Sequence, residues 1–327
     1  MPTAIVLAFL AAPVRAQVES LESPALRVEI SSKPYGLTLI EKSTGQTLLS
    51  LNRAAFTEQD HRVSSVTGVV KKADSVEATL LLSGASETAK LTLTFTNPEI
   101  IQVTLGYDGG DCESISQGFE DRGDHYYGVW EYPFGGSVDD RGAYEEFGGA
   151  RNLPDVNYSN ARAPFYLTSR KYGIYVESTA EGHFGFAQSG ETSFSFRDKH
   201  LTYDIIYGPT YADILNRYNA LAGPAFMPPT WAFDGIWWRD DEHDDLRGVK
   251  DAQEKVIQDA DRLRSLHIPA TAIWLDRPYG SGDRGWGNMD FDPSFPDPDK
   301  MIRDLEDRGI YLLLWIANRN NNRLFQE

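Results

Sequence analysis

Carboxylates placed at strand ends are the reactive groups that this sequence arranges in a way that could act on a ligand. The stretch Thr271-Ala-Ile-Trp-Leu-Asp-Arg-Pro-Tyr279 reads as a buried strand ending in an acid. A loop follows with Trp286 between Gly285 and Gly287, then Phe291-Asp-Pro-Ser-Phe-Pro-Asp-Pro298. Asp297 and Pro298 there suit the N-cap and first position of a helix. Strand, loop and capped helix in that order present side chains at the C-terminal end of a strand, where β/α barrels bind ligands. Asp276, directly after Ile-Trp-Leu, would be partly desolvated. It could accept hydrogen bonds from hydroxyl groups such as those of a sugar, or pair with an arginine. Equally, it could form a salt bridge with Arg277 or Arg239, or cap a turn.

Two further strand ends qualify: Arg239 to Asp241, and Asn318 with Arg319. The glycines around Trp286 would let its indole fold over a site, although a loop anchor packed on the rim reads as well. Asp240-Asp-Glu-His-Asp-Asp245 resembles a metal cluster in composition only. Consecutive side chains point in all directions, whereas hard-cation loops space their ligands around a Gly turn, so a solvated charge run is the better reading. The sequence has no Walker motif, no His-Glu-x-x-His and no Gly-x-Ser-x-Gly elbow, and the Gly-x-Gly-x-x-Gly spacing of Gly280 to Gly285 opens no helix directly, as a dinucleotide-binding turn must. Nucleotide and serine-hydrolase chemistry therefore lack support. Glycoside hydrolysis uses a pair of carboxyl groups, but with 48 Asp and Glu the composition cannot choose one.

The elements that must position these groups fall into two rhythms. From about Arg27 to Tyr207 the period is two, as in Leu26-Arg-Val-Glu-Ile30, Lys90-Leu-Thr-Leu-Thr-Phe95 and Ile101-Gln-Val-Thr-Leu105, with turn residues between the runs. Many short strands so spaced predict an antiparallel β-sandwich. The rhythm breaks between Gly118 and Asn160, which predicts a long irregular segment. A helix near Tyr211 to Leu221 leads to Gly223-Pro and Pro228-Pro229, marking a boundary. Beyond it the pattern is strand (Ala232–Trp238), helix (Val249–Leu266), strand (Ile268–Leu275), helix (Asp297–Gly309) and strand (Ile310–Ile316). This spacing predicts parallel strands joined by helical crossovers and covered on both faces.

The net charge of −17 repels phosphate backbones and argues against a nucleic-acid partner. Cys112 is the single cysteine, which excludes an internal disulfide and a Cys-based metal cluster. Ala4–Ala12 is an apolar run of signal-peptide size, with Val14-Arg-Ala16 before a plausible cut at Gln17. It is too short to span a membrane. The expected organisation is a signal peptide over 1–16, a β domain over 17–225 and a β/α domain over 226–327, with export to the periplasm or the exterior.

Several motifs, in order along the chain, resemble glycoside hydrolase family 31, the α-glucosidase and α-xylosidase group. They are Tyr127-Gly-Val-Trp-Glu131, Asp139-Asp-Arg-Gly142, Pro164-Phe-Tyr-Leu-Thr-Ser-Arg-Lys-Tyr-Gly173, Pro228-Pro-Thr-Trp-Ala232, Trp274-Leu-Asp276, Phe291–Pro298 and Arg308-Gly-Ile310. The resemblance implies a mutarotase-like β-sandwich followed by the first β/α units of a (β/α)8 TIM barrel, truncated after about three strands. It implies an oligosaccharide or α-glycoside substrate, retaining double displacement, and no metal or organic cofactor. Asp276 would hold sugar hydroxyls in the −1 subsite, Asp155 would reach over from the β domain, and Asp240 would line the +1 side. Where the family commonly has Ile-Asp-Tyr, Arg277-Pro-Tyr279 follows Asp276 here. A cationic residue here, with Arg284 and Trp286 in the long loop that follows, leaves the substrate open between the family's neutral sugars and an acidic or substituted one, such as a sulfonated or uronic sugar. The family's nucleophile and acid/base would lie beyond Glu327, so these 327 residues alone are expected to be inactive, with exposed strands and poor solubility. The alternatives are a carbohydrate-binding β-sandwich protein without catalysis, a transglycosylase of the same family, or a barrel hydrolase of a related clan.

Overall fold

The computed structural model describes residues 18–56, 61–107, 109, 113–130, 138–147, 162–239, 250–276, 279–280 and 290–316. The chain divides into two compact units, Met1–Pro224 and Ala225–Glu327.

The first unit is built almost wholly of antiparallel strands. In chain order they are β1 (Val18–Glu22), β2 (Leu26–Ser32), β3 (Tyr35–Glu41), β4 (Thr47–Phe56), β5 (His61–Lys71), β6 (Ser75–Leu82), β7 (Thr88–Asn97) and β8 (Ile100–Tyr107). There follow β9 (Ile115–Glu120), β10 (Tyr126–Trp130), β11 (Tyr144–Phe147), β12 (Arg162–Thr168), β13 (Tyr172–Val176), β14 (Gly182–Gln188), β15 (Glu191–Phe196) and β16 (His200–Tyr207). Eight of them pair in the order β1-β2-β3-β4-β9-β15-β14-β11. The other eight pair in the order β5-β6-β7-β8-β16-β13-β12-β10. A short β4–β5 pairing, Ala55 with Arg62 and Phe56 with His61, links the two.

The period-two pattern explains the burial. Leu26, Val28 and Ile30 point inward and are fully buried, while Arg27 and Glu29 point outward and form an ion pair at 3.0 Å. Inward residues of both sheets, such as Val28, Leu39 and Phe194 from one and Leu80, Leu93 and Val103 from the other, share a single buried cluster. Adjacent residues of β16 divide between faces: Ile205 joins that cluster and Ile206 joins a smaller one beneath helix α1 (Tyr211–Ala222). A capping box starts α1, with Thr210 accepting from the Asp213 amide while the Asp213 carboxylate accepts from the Thr210 amide. Phe165 stacks on Tyr218 at 3.9 Å to seat the helix on the sheet.

The segment expected to be irregular contains β10 and β11. The alternation is hidden there by a bulge. The β10–β12 register slips between Gly128 and Trp130, with Gly128 at φ 131° and Val129 at φ 66°. At Gly128 a Cβ would sit 2.8 Å from the Phe165 carbonyl oxygen. Gly128→Ala therefore strains the backbone as well as clashing, and should lower the unfolding free energy of the β-rich unit by about 1–3 kcal/mol. A denaturant melt of wild type against variant measures this.

In the second unit a 3-10 turn at Thr230–Phe233 precedes β17 (Gly235–Arg239), and then come α2 (Ala252–Ser265), β18 (Ala270–Leu275), α3 (Pro298–Glu306) and β19 (Tyr311–Leu314). The strands are parallel in the order β17-β18-β19. Ile273 and Leu275 of β18, with Leu312 and Leu314 of β19, pack against Val256, Ala260 and Leu263 of α2 and Met301 and Leu305 of α3. The opposite face of the sheet differs from expectation. It was expected to be covered, yet Ile236, Trp238, Trp274 and Tyr311 are all exposed. Two helices can cover only one face of a three-stranded sheet, and among the described residues the second is met by Trp231 of the 3-10 turn, stacked on Tyr311 at 4.4 Å.

Candidate functional site

Side-chain parity places Asp276. Trp238 of β17 pairs in register with Trp274 of β18, so the two indoles share the face that the helices leave open. Asp276 follows Trp274 by two residues and returns to that face. Its amide donates to the Arg239 carbonyl at 2.9 Å, extending the β17–β18 ladder by one step. Trp315 donates to the Leu275 carbonyl at 3.0 Å on the other side. The backbone just before the acid is thus held by both neighbours. The side chain is only 8% exposed, and its Oδ2 accepts a hydrogen bond from Trp238 Nε1 at 3.0 Å. A neutral indole N–H orients the carboxylate without cancelling its charge.

Arg239, one of the alternative partners for Asp276, lies in register with Leu275 on the helix side of β17. Its Nε is 2.9 Å from Asp259 Oδ2 of α2, an ion pair in which both groups are largely buried. The same parity that brings Trp238 to the acid carries Arg239 to the helix side.

The segment that follows is scaffold. Tyr279 is buried, and its hydroxyl donates to the Trp315 carbonyl at 2.8 Å. Burial, with the Asp290 charge second, pushes this phenol above its ordinary pKa. Asp292 accepts from the Ser294 amide at 2.9 Å and the Ser294 hydroxyl at 2.7 Å. Phe295 is buried and joins the cluster between sheet and helices. The Asp297 amide donates to Gln253 Oε1 at 2.9 Å, and Asp297 Oδ1 accepts from the Lys300 amide at 3.0 Å, capping α3. Past the helix, Gly309 takes φ 68°, and the Arg264 guanidinium donates to the Arg308 and Gly309 carbonyls. Phe291–Pro298 therefore sets the start of α3 against the start of α2, and touches no described ligand-facing group. Asp297→Ala removes the cap and should destabilise this unit by about 1 kcal/mol, with α3 amides gaining hydrogen-exchange rate ahead of those in α2.

Of the residues expected to form the site, Asp276 and Arg239 are placed, and they lie on opposite faces of the sheet. Asp155, Asp240, Arg277 and Trp286 lie outside the described residues, as do Arg284, Asn318, Arg319 and residues 1–17. Sequence reasoning missed Trp238. Its signal was parity: a tryptophan three places before Asp241 on the same face as the strand-two acid. Among the described residues no group of three or more His, Cys, Asp or Glu side chains could hold a metal ion, and no helix is long and apolar enough to cross a membrane.

A parallel β/α sheet with an acid at the end of its second strand, preceded by an antiparallel β unit, is the class of protein these features describe. Residues 225–326 match the family described as "Glycosyl hydrolases family 31 TIM-barrel domain". An α-xylosidase of Lactiplantibacillus pentosus is 31% identical over 156 residues, covering 47% of this chain and 20% of that protein. An isomaltosyltransferase of Sporosarcina globispora is 30% identical over 178 residues, covering 46% of this chain and 16% of that protein. The cycloalternan-forming enzyme of Listeria monocytogenes, solved with a pentasaccharide substrate, superposes with a TM-score of 0.61 at 17% identity, over 88% of this chain and 35% of that one. The β/α unit, over residues 225–326, is thus similar to the barrel domain of glycoside hydrolase family 31. The chain spans a fifth or less of the length of these two curated relatives.

Proposed function

We propose that this chain belongs to a retaining α-glycosidase in which Asp276 binds the hydroxyls of the sugar whose bond is cleaved. The observation that carries the reading is the Trp238–Asp276 pair at 3.0 Å at the C-terminal end of parallel strands. Ligands of barrels lie at that end, and a carboxylate presents four acceptor positions to hydroxyl donors. Such bonds are charge-assisted and directional. Asp276 acts as a holding group in this reading and not as the nucleophile. The fold we assign is a β-sandwich followed by the first β/α units of a (β/α)8 barrel.

By the family resemblance the nucleophile and the acid/base come from later barrel strands, outside these 327 residues. The chain made alone should give no turnover of aryl α-glycosides. Turnover that persists through purification would contradict that division of labour. In an active protein that contains these residues, Trp238→Phe should raise KM about tenfold, the loss of one hydrogen bond of roughly 1.4 kcal/mol to a charged group. Asp276→Asn should lower kcat/KM much further. An unchanged KM in the Phe variant would show that the indole does not orient the acid for substrate.

Transfer to a sugar acceptor is the second reading, favoured by the likeness to the isomaltosyltransferase. It shares the same holding group and differs in what attacks the glycosyl-enzyme. Arg277 and Arg284 in the sequence after Asp276 support a substrate with an anionic substituent, and Ala4–Ala16 supports export.

A further inference from the structure

The outer face of the β-rich unit holds a buried acid that sugar chemistry does not use. Asp204 of β16 is fully buried, and neither carboxylate oxygen has a well-placed hydrogen-bond donor among the described residues. Its strand neighbours in register are Gln102 on β8 and Tyr175 on β13. The remaining polar neighbour is Glu177, at the end of β13, whose amide donates to the Thr202 carbonyl at 2.9 Å. Gln102 Nε2 donates to Glu177 Oε1 at 3.0 Å. On the flanks, Thr104 and Thr202 bond each other at 3.2 Å, and the Tyr175 ring meets Tyr218 of α1 edge-on at 5.2 Å. No Lys, Arg or His of β8, β13 or β16 is among the groups that influence Asp204.

We infer that Asp204 and Glu177 share one proton, carried by Asp204 and donated to Glu177, and that this pair makes the β-rich unit more stable in mild acid than at neutral pH. Burial decides the assignment: Asp204 is fully buried, and the pull of the Gln102 amide on it is the smallest of the influences there, while the well-formed Gln102 bond goes to Glu177. By donating to Glu177 the amide favours the ionised form there, which leaves Asp204 as the partner that must supply a donor. Two adjacent carboxylates, one of them fully buried, cannot both ionise without losing solvation and repelling each other. Burial first, and the Glu177 carboxyl second, raise the Asp204 pKa from 3.8 to about 7.

The direction of the pH effect follows. Between about pH 4 and pH 7 the folded chain keeps a proton that the unfolded chain has lost, so stability falls as pH rises through this interval. Below it both states are protonated, and the contribution is fully present. Asn at position 204 keeps the shape and a permanent N–H donor for Glu177, so it copies the protonated acid at every pH.

The test is thermal melting of the 327-residue chain and its Asp204→Asn variant from pH 5 to pH 8. Wild type should lose several degrees more than the variant over this range. The two should agree at pH 5, and the variant should melt about 2–4 °C higher at pH 8. Parallel melting curves, or a variant that is less stable than wild type at pH 8, would overturn the inference. Carbon-13 NMR of the wild-type side-chain carboxyls gives a second readout that needs no variant. A buried Asp carboxyl titrating near neutrality supports the pair, and all Asp carboxyls titrating below pH 5 would refute it.

Discussion

The parallel register of β17 on β18 is the constraint on which the candidate site depends. Pairing Trp238 with Trp274 and Arg239 with Leu275 divides four side chains between two faces in one step. The indole goes to the open face, where it meets Asp276, and the guanidinium goes to the helix face, where it meets Asp259. A slip of one residue would reverse both assignments. It would bring a cation to the acid and put an indole among the helices. Whether Trp238 or Arg239 of this strand stands beside the acid is thus set by backbone hydrogen bonding, before any side chain is chosen.

The scaffold around the sheet protects that register. Val256, Ala260, Met301 and Leu305 clamp one face. The Asp292–Ser294 turn and the Asp297 cap tie the entry of α3 to Gln253 at the start of α2. Arg264 and Arg308, the latter paired with Asp261 at 2.7 Å, tie the exits. The open face carries large aromatics, which can lie flat against apolar ring faces of a sugar or pack under further barrel elements. The β-rich unit solves a different problem. It buries alternate residues of sixteen strands in one main core, and accepts a few buried carboxyls at its edges. Glu145 is one of these, pushed up to about 8 by burial and by the nearby Asp140 charge, with Arg162 opposing.

Much of this was legible in the sequence because periodicity records burial. The alternation of Leu26 to Ile30 and the three- and four-residue steps from Val256 to Leu263 each follow one buried face, and the observed strands and helices lie where those patterns fall. Legibility failed where local geometry overrides the period. At Gly128 and Val129 a bulge breaks the alternation, so β10 was read as irregular. On β17 an apolar run was read as covered on both faces, because hydrophobicity does not say which neighbour covers a side chain. In the site, Asp276 was legible from its place after an apolar strand. Its partner Trp238 was not, since that pairing depends on register between segments 38 residues apart. The motif Phe291–Pro298, the most specific sign of the family in the sequence, proves to be architecture rather than chemistry.

The central claim is that Trp238 serves substrate binding through Asp276. A double-mutant cycle on substrate affinity, in an active protein containing these residues, tests it most directly. With Trp238→Phe, Asp276→Asn and the double variant measured against one α-glycoside, the Phe substitution should weaken binding in the Asp276 background and have little effect once Asp276 is Asn. Equal losses in both backgrounds would show that the indole and the carboxylate act independently, and would contradict the account.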